Sequence, residues 1–234
     1  MEDLVLPWGY PLETYPVETE DGFVLRLYRI PYGVKNSTKP DPRKPVVLLI
    51  HGITLASSCF VVLDPESSMG FYLADAGFDV WMLNTRSNTY SRGNRYRGDT
   101  SVAYWQYSID ELALLDLPAQ IDFILKFTGK PSLATVGHSQ GCTLPLMLLS
   151  AKPEYNAKVW LMMQIGAVTH AEEIQAKYMR HQAELRSAQK VLGGAAIGNF
   201  IMNSVTSQLI SSCNGTYSRL RYCQKLIHFL VGGL

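Results

Sequence analysis

Gly137-His138-Ser139-Gln140-Gly141 sets a serine between two glycines, each one residue removed. An alcohol is a weak nucleophile near neutral pH. It becomes useful in acyl transfer when a base takes its proton and fixed N–H groups await the developing oxyanion. A sharp strand-to-helix turn supplies part of that by lifting the hydroxyl above a sheet. The flanking sequence provides the context: the apolar run Leu133–Val136 directly precedes the motif, and Thr143–Ser150 reads as a helix directly after it. In so tight a turn a side chain at position 137 or 141 strikes neighbouring backbone, which accounts for both glycines. The helix that follows points its N-terminus and free N–H groups at the serine, favouring negative charge there. An ordinary strand-to-helix turn is the bland alternative.

A second element, His51-Gly52-Ile53-Thr54, directly follows the apolar run Pro45–Ile50. A loop in this place supplies one oxyanion N–H, and the residue after the nucleophile supplies the other. The donors are therefore assigned to the backbones of Ile53 and Gln140, with Gly52 allowing close approach of the substrate oxygen. Neither nearby histidine suits the role of general base. His138 adjoins Ser139 in a strained turn, so its ring points away, and His51 reads as a structural hydrogen-bonding group.

These groups need a scaffold. Tyr15–Glu20 and Phe23–Ile30 alternate in polarity around Asp21-Gly22, a hairpin signal. Residues 35–44 form a polar, proline-containing loop. Pro45–Ile50, Phe78–Leu83, Leu133–Val136 and Val159–Ile165 are short apolar runs of the kind found in strands buried on both faces. Helical spacing separates them at Met69–Ala76, ended by Gly77, and at Asp110–Phe127, ended by Gly129. Pro118 predicts a kink or a second helix capped by Asp116. The fold class is α/β, doubly wound with right-handed crossovers. Beyond Ile165 the alternation stops, and 171–190 and 195–210 carry helical spacing instead.

Composition restricts the function classes. The chain has 234 residues, 18% of them charged, and a net charge of +1. No electrostatic pull toward nucleic acid follows from that. Arg86, Arg92, Arg95 and Arg97 read as a solvated loop cluster. Met-Glu-Asp-Leu-Val is acidic and has no apolar segment behind it, so no signal peptide is expected, and no run suggests a transmembrane helix. Cys59 and Cys142 adjoin apolar runs and read as buried thiols. Cys213 and Cys223 could close a small disulfide loop in an oxidising compartment. Asn36 and Asn214 begin glycosylation sequons. No metal or cofactor motif is present.

The chain resembles the acid lipase family of gastric and lysosomal lipases. The resemblance starts at Trp8-Gly9-Tyr10-Pro11 and runs through Glu18–Gly22 and Arg29–Gly33. It continues at His51-Gly52, Leu73–Trp81, Asn84–Thr89, Asp116–Ala119 with Ile121–Phe123, and Gly137–Gly141. It implies an α/β-hydrolase fold: a mostly parallel central sheet with flanking helices and a partial helical cap. Residues 1–165 would form the N-terminal part of that core and 166–234 the cap, with the last strands missing. It further implies Ser139 as nucleophile, a lipid ester (triacylglycerol or cholesteryl ester) as substrate, contact with a lipid interface, a cap disulfide at Cys213 and Cys223, and a secreted or lysosomal location.

The family's triad runs serine, acid, histidine. After Ser139 the chain has no aspartate; it has Glu154, Glu172, Glu173, Glu184, His170, His181 and His228. None of the glutamates follows a strand-like run in the expected way, and Glu172 or Glu173 with His228 is a poor substitute. The acid and histidine are therefore expected beyond Leu234. The alternatives are a non-catalytic lipid- or partner-binding protein on a hydrolase scaffold, and a hydrolase of a different acyl class.

Overall fold

The computed structural model describes residues 1–35 and 39–168. The expected cap at 166–234, its helices, Asn36, Asn214, Cys213 and Cys223 lie wholly or almost wholly outside the described residues.

After a short helix α1 (Glu2–Val5), β1 (Glu13–Glu18) and β2 (Phe23–Ile30) form the expected hairpin. Thr19–Gly22 is its turn, with Gly22 at φ 88° and its N–H donating to the Thr19 carbonyl. The remaining elements are β3 (Val46–Ile50), α2 (Met69–Asp75), β4 (Asp79–Met82), β5 (Gly93–Asn94), α3 (Ile109–Glu111), α4 (Leu117–Thr128), β6 (Leu133–His138), α5 (Gln140–Ala151) and β7 (Val159–Ile165). The strands join in the order β1-β2-β4-β3-β6-β7, with the short β5 on β2. β4, β3, β6 and β7 are parallel, and the β1, β2 and β5 flank is antiparallel. This is the α/β architecture expected from the alternating apolar runs. Arg97–Gln106 groups apart from the described residues around it and contains one 3-10 turn, Val102–Trp105.

The continuous run Val46–Ile50 is explained by burial on both faces. Leu48 and Ile50 join Trp81, Leu117, Ile121 and Leu144 on one side of the sheet. Val47 and Leu49 join Val80, Met82, Phe71 and Ala74 on the other. Fully burying such an aliphatic side chain contributes about 1.5–3 kcal/mol. At the edge, β7 pairs only with β6 among the described residues, and Trp160, Leu161, Met163 and Ile165 are exposed.

Two sequence expectations fail for one reason. Asp116 stands at the N-cap position of α4 but its side chain makes no capping hydrogen bond: it closes a π-helical turn, Leu112–Asp116, between α3 and α4. Pro118 sits in the first turn of α4, where its missing N–H costs little. Arg86 is not in a solvated loop; it is 3% exposed. The two residues are partners. The Arg86 backbone N–H and its Nε–H donate to the Asp116 carboxylate at 2.7 and 2.9 Å, and its remaining nitrogens reach Asp21 at 2.6 and 3.0 Å. Burial pushes the Asp116 carboxyl up to about 6, against the pull of Arg86. The Arg86 guanidinium also lies 4.2 Å from the centre of the Phe23 ring. The π turn thus turns a carboxylate inward to meet a buried cation. Arg95, by contrast, is exposed and paired with Glu18.

Candidate active site

Ser139 lies between the end of β6 and the start of α5, at φ 54° and ψ −121°, outside both strand and helix conformations. A non-glycine residue held there carries strain of about 1–3 kcal/mol and persists only where the surroundings enforce it. The enforcement is visible at both glycines. A Cβ on Gly137 would lie 2.6 Å from the Gly141 carbonyl carbon and 2.7 Å from the Cys142 nitrogen. A Cβ on Gly141 would lie 2.7 Å from the His51 carbonyl oxygen. The start of α5 therefore packs backbone to backbone on the end of β3, and no side chain fits between. The Ser139 N–H donates to the Ile165 carbonyl at 2.9 Å, tying the turn to the end of β7.

The loop after β3 passes over this turn. A Cβ on Gly52 would be 3.1 Å from Ser139 Cβ and 3.2 Å from His138 Nδ1. A side chain at Gly52 would therefore crowd the Ser139 turn. Ile53 follows it, 48% exposed. Gln140 opens α5, so its N–H is one of the helix's unpaired amides. The Ser139 hydroxyl has no hydrogen-bond partner among the described residues.

His51 is buried, with Nδ1 2.8 Å from the Gly52 carbonyl and Nε2 3.2 Å from the Thr85 N–H. Burial lowers its pKa. Both ring nitrogens are engaged by groups other than Ser139. His138 lies against Gly52 and makes no hydrogen bond to Ser139. Cys142, three residues on, donates its thiol to the Gly137 carbonyl, and burial raises its pKa, so it is no rival nucleophile.

A buried polar layer behind the loop was missed in the sequence reading. Asn88 Nδ2 lies 3.3 Å from His51 Nε2 and donates to Asn84 Oδ1 at 2.9 Å. Asn84 Oδ1 also accepts from the Ser57 N–H, and Asn84 Nδ2 donates to the Arg26 carbonyl. The available signal was the polar run Asn84–Thr89 directly after a buried strand, at the same edge as the other two loops. Ser87 in that run has φ 64° and a buried hydroxyl without a partner among the described residues.

The chain matches two family descriptions: "Partial alpha/beta-hydrolase lipase region" over residues 1–64, and "alpha/beta hydrolase fold" over residues 45–196. It is similar to human gastric triacylglycerol lipase, 46% identical over 159 residues, covering 68% of this chain and 40% of that protein. It is similar to human lysosomal acid lipase/cholesteryl ester hydrolase, 46% identical over 168 residues, covering 72% and 42%. Human lipase member K is 36% identical over 234 residues, covering 99% and 58%. The chain thus spans about half the length of these relatives. An esterase of Pyrococcus furiosus shares the fold at a TM-score of 0.52 and 18% identity, covering 82% of this chain and 64% of that one.

Proposed function

Because the chain belongs to the acid lipase family of the α/β-hydrolase superfamily, we propose that it serves as a serine hydrolase of lipid esters, with Ser139 as nucleophile. The observation that carries this reading is the strained Ser139 turn, with the Gly52 loop so near that a Cβ on Gly52 would lie 3.1 Å from Ser139 Cβ. Ser139 Oγ attacks the ester carbonyl, and its proton passes to a base. The carbonyl oxygen, now negative, takes hydrogen bonds from the N–H groups of Ile53 and Gln140. Each such donor is worth about 10²–10³ in rate. The base is neither His51 nor His138. The family's order of triad residues assigns it to a histidine that follows Ser139, oriented by an acid that lies between the two in the sequence.

The substrate class, a triacylglycerol or cholesteryl ester, rests on the names of the two human relatives. A lipid surface as partner is supported by Ile53, Leu55, Val62 and Leu63, all exposed on the loop after β3. No helix among the described residues is long and apolar enough to cross a membrane. The gastric and lysosomal relatives support a secreted or lysosomal location.

The test is labelling with an alkyl fluorophosphonate. The proposal expects one adduct, mapped to Ser139 and absent from Ser139→Ala. A folded protein that carries the family's acid and histidine and still forms no such adduct would reject it. A second reading, a non-catalytic lipid-binding protein, draws on the unpartnered Ser139 hydroxyl. It expects saturable binding of a fluorescent cholesteryl ester with no adduct.

A further inference from the structure

We propose that His51 and Asn88 are positioning residues that set the direction of the Ile53 N–H, an inference that rests on the assignment of that group as an oxyanion donor. The Gly52 carbonyl and the Ile53 N–H belong to one peptide unit, and that unit is planar. Whatever fixes the carbonyl fixes the N–H on its other side. His51 Nδ1 lies 2.8 Å from the Gly52 oxygen. A carbonyl can only accept, so Nδ1 carries the proton.

The opposite ring nitrogen is fixed by the same logic. The Thr85 backbone N–H, 3.2 Å from Nε2, can only donate. Asn88 adds a second donor, and its own orientation is not free. Its Oδ1 accepts from the Tyr90 and Ser91 N–H groups at 2.9 and 3.0 Å, so Nδ2 is the atom that faces His51. Its two protons go to Asn84 Oδ1 and His51 Nε2. Nε2 is therefore an acceptor, and the ring is held as the neutral Nδ1–H form. The path runs from the backbone of 90–91 through Asn88, the His51 ring and the Gly52 carbonyl to the Ile53 amide. None of these side chains touches the substrate. They act on the direction of one N–H, and a site held by such a supporting layer keeps its geometry.

The experiment uses the full chain as wild type, Asn88→Asp, His51→Leu and His51→Asn, each checked for cooperative unfolding. Long-range nitrogen NMR locates the His51 proton, and fluorophosphonate labelling of Ser139 is resolved into a maximum rate and a half-saturation concentration. In the wild type the proton is on Nδ1. Asn88→Asp keeps the acceptor for Tyr90 and Ser91 but turns an acceptor toward the ring, so the ring proton shifts from Nδ1 to Nε2 and the Gly52 carbonyl loses its donor. The maximum rate then falls by about tenfold or more. His51→Leu lowers it by about 10²–10³, the value of a lost oxyanion donor. His51→Asn returns an amide N–H near the Nδ1 position and recovers part of the loss. Half-saturation stays unchanged throughout. If Asn88→Asp does not fold, the two His51 variants decide.

A wild-type proton on Nε2, wild-type labelling by His51→Leu, or a change confined to half-saturation would overturn the inference. If wild-type Ser139 is never labelled, the labelling arm speaks to the activation of Ser139 and not to the clamp, and NMR alone decides the clamp. An Nδ1 proton with an Ile53 amide shifted in His51→Leu and restored in His51→Asn upholds it. An Ile53 amide indifferent to both variants refutes it.

Discussion

At the scale of single residues, the site is held against local preference. Ser139 occupies a backbone region that favours glycine, so Ser139→Gly relieves strain while removing the nucleophile. It is expected to stabilise the fold by about 1 kcal/mol, read as a rise in thermal midpoint, with labelling abolished. His51 gives the site a pH signature. Burial lowers its folded pKa below the unfolded value of 6.5, so the unfolded chain binds the proton first as pH falls. The stability attributable to this ring is complete above about pH 6.5 and declines below it, by at most about 1.4 kcal/mol per pH unit. Urea unfolding from pH 7.5 to 5 should show a slope in the wild type that His51→Gln reduces. Equal slopes would mean that the ring titrates alike in both states.

At the scale of elements, the π turn between α3 and α4 anchors the loop after β4. Asp116→Ala strands the buried Arg86 guanidinium with only the partly exposed Asp21, and is expected to cost about 3–5 kcal/mol. Asp21→Ala removes the outer partner and should cost about 1 kcal/mol, since solvent screens that side. Chemical denaturation of both variants checks the order. Elements were legible where one local force dominated. The hairpin followed from Asp21-Gly22, the parallel strands from unbroken apolar runs such as Val46–Ile50, and the Ser139 turn from two glycines that only backbone contact explains. What could not be read depended on pairs distant in sequence. Arg86 and Asp116 are 30 residues apart, and each alone looked like an exposed charge or a helix cap. Asn88 and His51 are 37 apart and signal nothing until the sheet brings their loops together.

At the scale of the molecule, the described sheet ends on β7, whose apolar side chains face outward on both sides; Trp160 is 57% exposed. An apolar edge strand invites pairing with another chain. The loops at the carboxyl ends of β3 and β6 meet at one serine, with the loop after β4 packed behind them on His51, and the account rests on what that serine faces. The most direct measurement is a crystal structure of the phosphonylated protein. The account predicts the phosphorus bonded to Ser139 Oγ, with its phosphoryl oxygen about 2.7–3.1 Å from both the Ile53 and Gln140 nitrogens. A phosphoryl oxygen turned to solvent, with either amide occupied elsewhere, would contradict it.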